Sequence, residues 1–198
     1  WFGRRLRLNV AVFHNKYDDL QRSANNQSGV QTIFNAASAT MEGYEIDLQA
    51  LLTEQLKLEV SYGYVDAGYD QARYLELARG RPASTFKLQM VPEDTFSTAL
   101  TYEHPLAALG SLSWRAAYSY RSETFADDFN FLPLKSYELV DASVTFRNAS
   151  RNLSVAAYGR NLTDEVYFNF GFDNTSIGSR TMWLTPPRTY GIELTYDF

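Results

Sequence analysis

Apolar and polar residues alternate with period two along most of this chain. Leu6, Leu8, Val10 and Val12 alternate with Arg7, Asn9, Ala11 and Phe13, and Leu56, Leu58, Val60, Tyr62 and Tyr64 with Lys57, Glu59, Ser61 and Gly63. Leu112, Trp114, Ala116, Tyr118 and Tyr120 stand against Ser113, Arg115, Ala117, Ser119 and Arg121. Val140, Ala142, Val144 and Phe146 stand against Asp141, Ser143, Thr145 and Arg147. The last ten residues set Tyr190, Ile192, Leu194, Tyr196 and Phe198 against Thr189, Gly191, Glu193, Thr195 and Asp197. Side chains leave a strand on alternate faces, so each stretch predicts a strand with one apolar and one polar face. Weaker alternation covers 95–103 and 153–160. Within 38–50 the phase slips: Ala39 and Met41 lie on one parity, Tyr44, Ile46 and Leu48 on the other. A bulge near Gly43 would absorb that slip.

The pattern predicts about eight strands. Their connectors alternate in length. Long polar ones fall at 21–31, 66–93, 122–136 and 168–187, and short ones near 51–55, 103–111 and 148–151. Long loops on one side and short turns on the other are the habit of outer-membrane barrels, whereas a soluble sandwich has no reason to segregate them. A sandwich or lipocalin would turn the aromatic-rich face inward; a membrane barrel turns it to lipid and lines its lumen with charge. Tyr62, Tyr64, Trp114, Tyr118, Tyr120 and Tyr196 lie near strand ends, where amphipathic rings suit the membrane interface. The expected fold class is therefore all-β, a transmembrane antiparallel up-and-down barrel. Ile192, Leu194, Val144 and Tyr118 are expected to face lipid, and Glu193, Thr195, Thr145 and Ser119 the lumen.

Composition narrows the picture. The 198 residues include fourteen Tyr and thirteen Phe. Mean hydropathy is -0.33, and no apolar run is long enough for a transmembrane helix. A net charge of -5 argues against nucleic acid, which needs a basic footprint. With no cysteine, disulfides and thiolate metal sites are excluded. The chain opens at Trp1 without Met or a signal-like stretch, as an internal fragment would.

Several stretches together resemble TonB-dependent outer-membrane receptors. NAASATMEGYEIDLQALLTEQLKLEVSYGYVDAGY is similar to their strand-turn-strand block, YGRNLTDEVYFNF to their penultimate strand and PPRTYGIELTYDF to their closing strand. YSYRSETFADDFNFLPLKSYELVDASVTFR fits the segment between. The resemblance spans the whole chain, 1–198. It implies a barrel of about 22 strands around a plug, of which this chain supplies the last eight or so, with the plug and TonB-contacting segment outside it. A periplasmic C-terminus sends the last strand downward, so every long connector falls outside the cell envelope and every short one inside. The resemblance also implies that Thr189, Gly191, Leu194, Tyr196 and Phe198 form the signal read by the barrel-assembly machinery; an ordinary amphipathic edge strand is the alternative.

The function so implied is active import of a scarce nutrient, most often a ferric siderophore, otherwise cobalamin or oligosaccharide. A small stand-alone eight-stranded barrel is the rival. Expected partners are the plug and TonB, the assembly machinery, outer-membrane lipid and lipopolysaccharide; no cofactor is expected. Arg73, Arg79, Arg81 and Lys87 on the 66–93 connector could attract an anionic complex or bridge lipopolysaccharide phosphates. Phe170, Phe172 and Trp183 on the 168–187 connector could grip a ligand or simply pack their loop. Long loops of this kind are usually functional or disordered. His14 and His104 stand in different strand contexts, which disfavours a metal site, and Ser113 beside His104 makes a poor hydrolase pair. Asn161-Leu162-Thr163 matches a glycosylation acceptor that has no meaning in a bacterial outer membrane. Asp164 and Glu165 read as loop-capping groups. Arg7, Glu45, Asp47, Lys57, Glu59, Arg115, Arg121, Asp141 and Glu193 on the lumen parity carry mixed signs, as ion pairs within the wall or to the plug require.

Overall fold

The computed structural model describes every residue except 1, 2, 4, 26–30 and 175–177, with side chains at 22–36 and 174 also left aside. Its strands in chain order begin with β1 (Leu6–Asn25), β2 (Gln31–Leu51) and β3 (Leu56–Gln71). A short helix, α1 (Arg73–Arg79), and a 3-10 turn (Ala83–Thr85) lead to β4 (Asp94–Pro105) and β5 (Gly110–Arg121). Then come β6 (Thr124–Phe125), β7 (Pro133–Leu134), β8 (Tyr137–Asn148) and β9 (Leu153–Arg160). The chain closes with β10 (Phe168–Asn174), β11 (Ser179–Leu184) and β12 (Thr189–Tyr196).

Eight strands form one sheet in the order β1-β2-β3-β4-β5-β8-β9-β12, with β10-β11 and β6-β7 as separate two-stranded ladders. Every neighbour in the large sheet is antiparallel. Among the described residues β1 and β12 are not paired with each other, so these strands form an open wall.

Register decides the faces. Tyr102, Trp114, Val144, Ala157 and Ile192 form one cross-strand row, and Val10, Ile46, Tyr62, Phe96 and Tyr120 another. Ser113, Thr145, Ala156 and Glu193 form a row on the opposite face. The expected lipid and lumen sets therefore do share faces, as the period-two pattern requires.

The bulge expected near Gly43 is absent. Pairing with β1 runs unbroken from Leu6↔Ala50 through Phe13↔Gly43 to Tyr17↔Ala39, and the irregularities lie beyond, at Tyr17/Leu20, Leu20/Gln21 and Ser38/Ala39. Met41 and Ala39 keep the inward parity of Gly43 and Glu45. Apolarity changes face there because the 66–93 connector folds over the wall and packs on it: Ala37, Ala39, Ala67 and Tyr69 share a core with Ala72, Leu75, Ala83, Phe86 and Leu88. Gly43 has another purpose, since a Cβ would strike the Tyr64 carbonyl and the Phe13 ring.

The connectors are also more ordered than their polarity suggests. Ladder pairing of β1 with β2 continues to Asn25↔Gln31, so the expected 21–31 loop shrinks to 26–30, outside the described residues. Each remaining long connector carries its own helix or hairpin. The short turns are held locally: Thr53 Oγ1 accepts the N–H groups of Gln55 and Leu56 at 3.1 and 3.0 Å. Gly110 sits at φ 128° and leaves no room for a Cβ beside the Arg147 carbonyl.

Candidate functional site

The inner face is lined by polar rows. Glu45, Gly63, Thr95, Arg121 and Tyr137 stand opposite one another on five successive strands, and Asp47, Ser61, Ser97, Ser119 and Leu139 form the next row down. Small side chains in the middle leave a trough of about 500 Å³ with acidic residues at the β2 end and Arg121 and Tyr137 at the β5–β8 end. A second hollow of about 280 Å³ adjoins it over Glu59, Arg115 and Asp141. Several charges in the wall are paired or hydrogen-bonded. Arg115 Nη1 lies 2.6 Å from Glu59 Oε2 and Lys57 Nζ 2.9 Å from Glu59 Oε1. Ser61 donates to Asp47 at 2.7 Å, and Asp141 accepts the Asn161 N–H at 2.8 Å.

Arg121 differs from these. Its Nε and Nη2 are enclosed and without a hydrogen-bond partner. The guanidinium carbon lies 5.4 Å from the Tyr137 ring centroid, and Tyr137 stacks on Tyr167 with centroids 3.9 Å apart. Burial pushes the Tyr167 phenol above its ordinary pKa.

Two connectors meet above the trough. Asp128 accepts the phenols of Tyr69 and Tyr74 at 2.5 and 3.1 Å. Asn130 exchanges hydrogen bonds with the Lys87 backbone at 2.9 and 3.0 Å, and the Met90 N–H reaches the Phe125 carbonyl at 2.8 Å. Asp127 caps the N–H groups of Phe131 and Leu132. Of the arginines singled out from sequence, Arg79 lies 4.0 Å over the Phe131 ring and Arg81 4.1 Å over Phe86, while Arg73 is exposed. Lys87 pairs with Glu93 at 3.0 Å.

Phe170, Phe172 and Trp183 come together as a trio with centroids 4.8–5.6 Å apart. The other face of that hairpin packs Met182 onto the Ala126, Leu132 and Leu134 core. The cationic and aromatic sets are thus separate, joined through Phe131 and Leu132 of 122–136. That connector carried no marked residue in the sequence; its Asp127-Asp128 pair followed by Asn130 was the available signal.

Other expected positions are placed as follows. Thr189, Gly191, Leu194 and Tyr196 pair along β9, Asp197 N–H still reaches the Asn152 carbonyl at 2.9 Å, and the Tyr196 and Phe198 rings meet edge-on at 5.1 Å. Gly191 accommodates the Tyr158 ring where a Cβ would stand. Ser113 lies on the inner parity and His104 on the outer, where its ring meets Tyr102 and Trp114, so the two cannot act as nucleophile and base. His14 bonds Glu42 at 3.0 Å, also on the outer parity. Asn161, Asp164 and Glu165 form a turn: the buried Asn161 amide bonds the Glu165 backbone twice, and Asp164 caps the Arg188 N–H at 3.0 Å.

Residues 1–162 match a family model described as TonB dependent receptor-like, beta-barrel. The metal-pseudopaline receptor CntO of Pseudomonas aeruginosa is 28% identical over 198 residues, a match covering 98% of this chain and 25% of that protein. The chain thus spans about a quarter of the length of such relatives. Among solved structures, the ferric yersiniabactin uptake receptor FyuA from Yersinia pestis superposes with a TM-score of 0.80 at 21% identity, covering 98% of this chain and 28% of FyuA. The copper transporter OprC superposes at 0.72 with 19% identity, covering 99% and 29%. Apolar rows facing outward, a charged inner wall and connectors folded over one end are the geometry of a membrane barrel. The chain belongs to the TonB-dependent receptor β-barrel family, whose members are transport receptors, and it is a stretch of bacterial outer-membrane barrel wall.

Proposed function

We propose that the parent protein imports a metal chelate, a ferric siderophore, by TonB-dependent transport. The observation that carries this reading is the 28% identity to a metal-pseudopaline receptor along nearly the whole chain. A trough with an unpaired arginine under folded loops supports it, because a chelate presents anionic oxygens and partly apolar arms. In this reading the plug and the TonB-contacting segment lie outside this stretch, which spans about a quarter of such relatives. The 66–93 and 168–187 connectors cover the ligand, with Arg73, Arg79 and Arg81 drawing in an anion and Phe170, Phe172 and Trp183 gripping apolar arms. Residues 189–198, through Thr189, Gly191, Leu194, Tyr196 and Phe198, present the strand read by the barrel-assembly machinery. The alternative role for the same arginines, Arg73, Arg79 and Arg81, is bridging lipopolysaccharide phosphates.

Growth and labelled-iron uptake under iron starvation test the cargo, comparing the intact gene with a deletion in a strain without redundant receptors. Uptake should depend on the gene. Uptake unchanged by deletion, or dependence seen only with cobalamin or an oligosaccharide, would remove the siderophore. Deleting Phe198 should lower receptor abundance in the outer membrane while leaving the affinity of assembled receptor unchanged; normal abundance would remove the assembly role.

A further inference from the structure

Two of the three guanidinium nitrogens of Arg121 on the inner wall, Nε and Nη2, are enclosed and have no hydrogen-bond partner among the described residues. Several other cations of the wall and mouth have a carboxylate partner. Arg115 has Glu59, Arg180 has Asp173 at 3.5 Å and Arg188 has Asp164 at 3.9 Å. The row of Arg121 offers no such partner within reach. The nearest carboxylate in that row is Glu45, three strands away, roughly 14 Å at about 4.8 Å per strand. Asp141 on β8 is engaged by the Asn161 N–H. Tyr137 and Tyr167 wall in one side of the cation, while Nη1 is not among the enclosed atoms and Arg121 lines the trough.

We infer that Arg121, backed by the stacked Tyr137 and Tyr167, is the subsite on the barrel wall that takes an anionic oxygen of the cargo. The oxygen belongs to a carboxylate, phenolate or hydroxamate, and this inference rests on the chelate reading above. Charge-assisted hydrogen bonds to a guanidinium are among the stronger polar contacts, and the ring pair shields this one from water. The position suits cargo entering from outside. Arg121 ends β5 at the side where the connectors fold inward, and Tyr167 begins the strand-to-hairpin stretch that carries Phe170, Phe172 and Trp183. A planar conjugated chelating group can meet the cation at its edge while its ring lies along the tyrosines. A carboxylate from the protein's own remaining segment could pair with Arg121 instead, and the experiment separates the two.

The test uses the full-length receptor in iron-starved cells, with 55Fe-loaded spent medium from the iron-starved parent strain as probe. For Arg121→Gln the half-saturating concentration should rise about tenfold or more. The maximal rate per receptor should change by less than about twofold. Arg121→Lys, which keeps the charge but loses the planar fork, should fall between the two. Half-saturation should rise with salt more steeply for wild type than for Arg121→Gln. An unchanged half-saturating concentration in Arg121→Gln would overturn the subsite. Reduced abundance or thermal stability of Arg121→Gln, with survivors importing at wild-type half-saturation, would also overturn it and assign the partner to the protein itself. No difference between wild type and the deletion strain would overturn the chelate reading, and this inference with it.

Discussion

The 66–93 and 168–187 connectors look alike in sequence and differ in structure. Both are long, both lie on the same side of the wall, and both carry candidate ligand residues. The first is built like part of the fold. It lays α1 against the inner wall, fully buries Leu75, Phe86 and Tyr69, and is tied to 122–136 through Asp128 and Asn130. The second is a hairpin anchored on one face by Met182, with Phe172 52% and Trp183 45% exposed on the other. Loop length therefore says little about mobility or role. What separates the two is where their apolar side chains go: into a shared core in one, and out to the surface in the other.

The sharpest way to break this contrast is Leu75→Ala. Leu75 is fully buried at the centre of the first connector. Removing its branched end should cost about 2–5 kcal/mol of local stability. Hydrogen exchange on the full-length receptor should show lost protection across 72–90 and unchanged protection across 179–184. Equal loss in both would mean that the two connectors form one cooperative unit, and the contrast would fail.

The sequence disclosed the wall far better than what covers it. Strand faces were legible because a period-two pattern carries register directly: Trp114, Val144, Ala157 and Ile192 fall on one row as their parity requires. The phase slip at Met41 was legible as a fact but not as a cause. A change of parity reads the same whether a strand bulges or whether its inner face acquires a loop to bury. Only the long-range packing of Leu75 and Phe86 on Ala39 and Ala67 distinguishes these. The pairing of Asp128 with Tyr69 across 59 residues, and the isolation of Arg121, depend on how separate strands align. Local patterns carry no record of either. The aromatic trio was legible as a set, since Phe170 and Phe172 share a strand parity and Trp183 lies across from them.

A smaller effect sharpens the same comparison. Asp128 accepts two phenols from the other connector, so Asp128→Ala removes the tie without emptying the core. The expected cost is about 1–3 kcal/mol, since hydrogen bonds to a charged acceptor sit at the upper end of the usual range. Limited proteolysis should then cut 66–93 faster, yet less readily than in Leu75→Ala. Cutting equal to Leu75→Ala would move the weight of this connector from its core to its polar tie.

The smallest stability effect is expected at Trp183→Ala. The ring is 45% exposed and meets Phe170 and Phe172 at 5.5 and 5.6 Å. Aromatic pairs of this kind contribute about 0.5–1.5 kcal/mol beyond area burial in folded cores, and less where water already wets one side. The variant should therefore lower receptor stability by no more than about 1 kcal/mol, a shift measured by thermal melting of the purified full-length protein. Uptake should respond differently. A side chain held outward at little gain to its own fold is available to a ligand, so half-saturation for the 55Fe probe should rise several-fold. A loss of stability comparable to Leu75→Ala with unchanged half-saturation would make the trio a core in its own right, and the two connectors would then differ in position but not in kind.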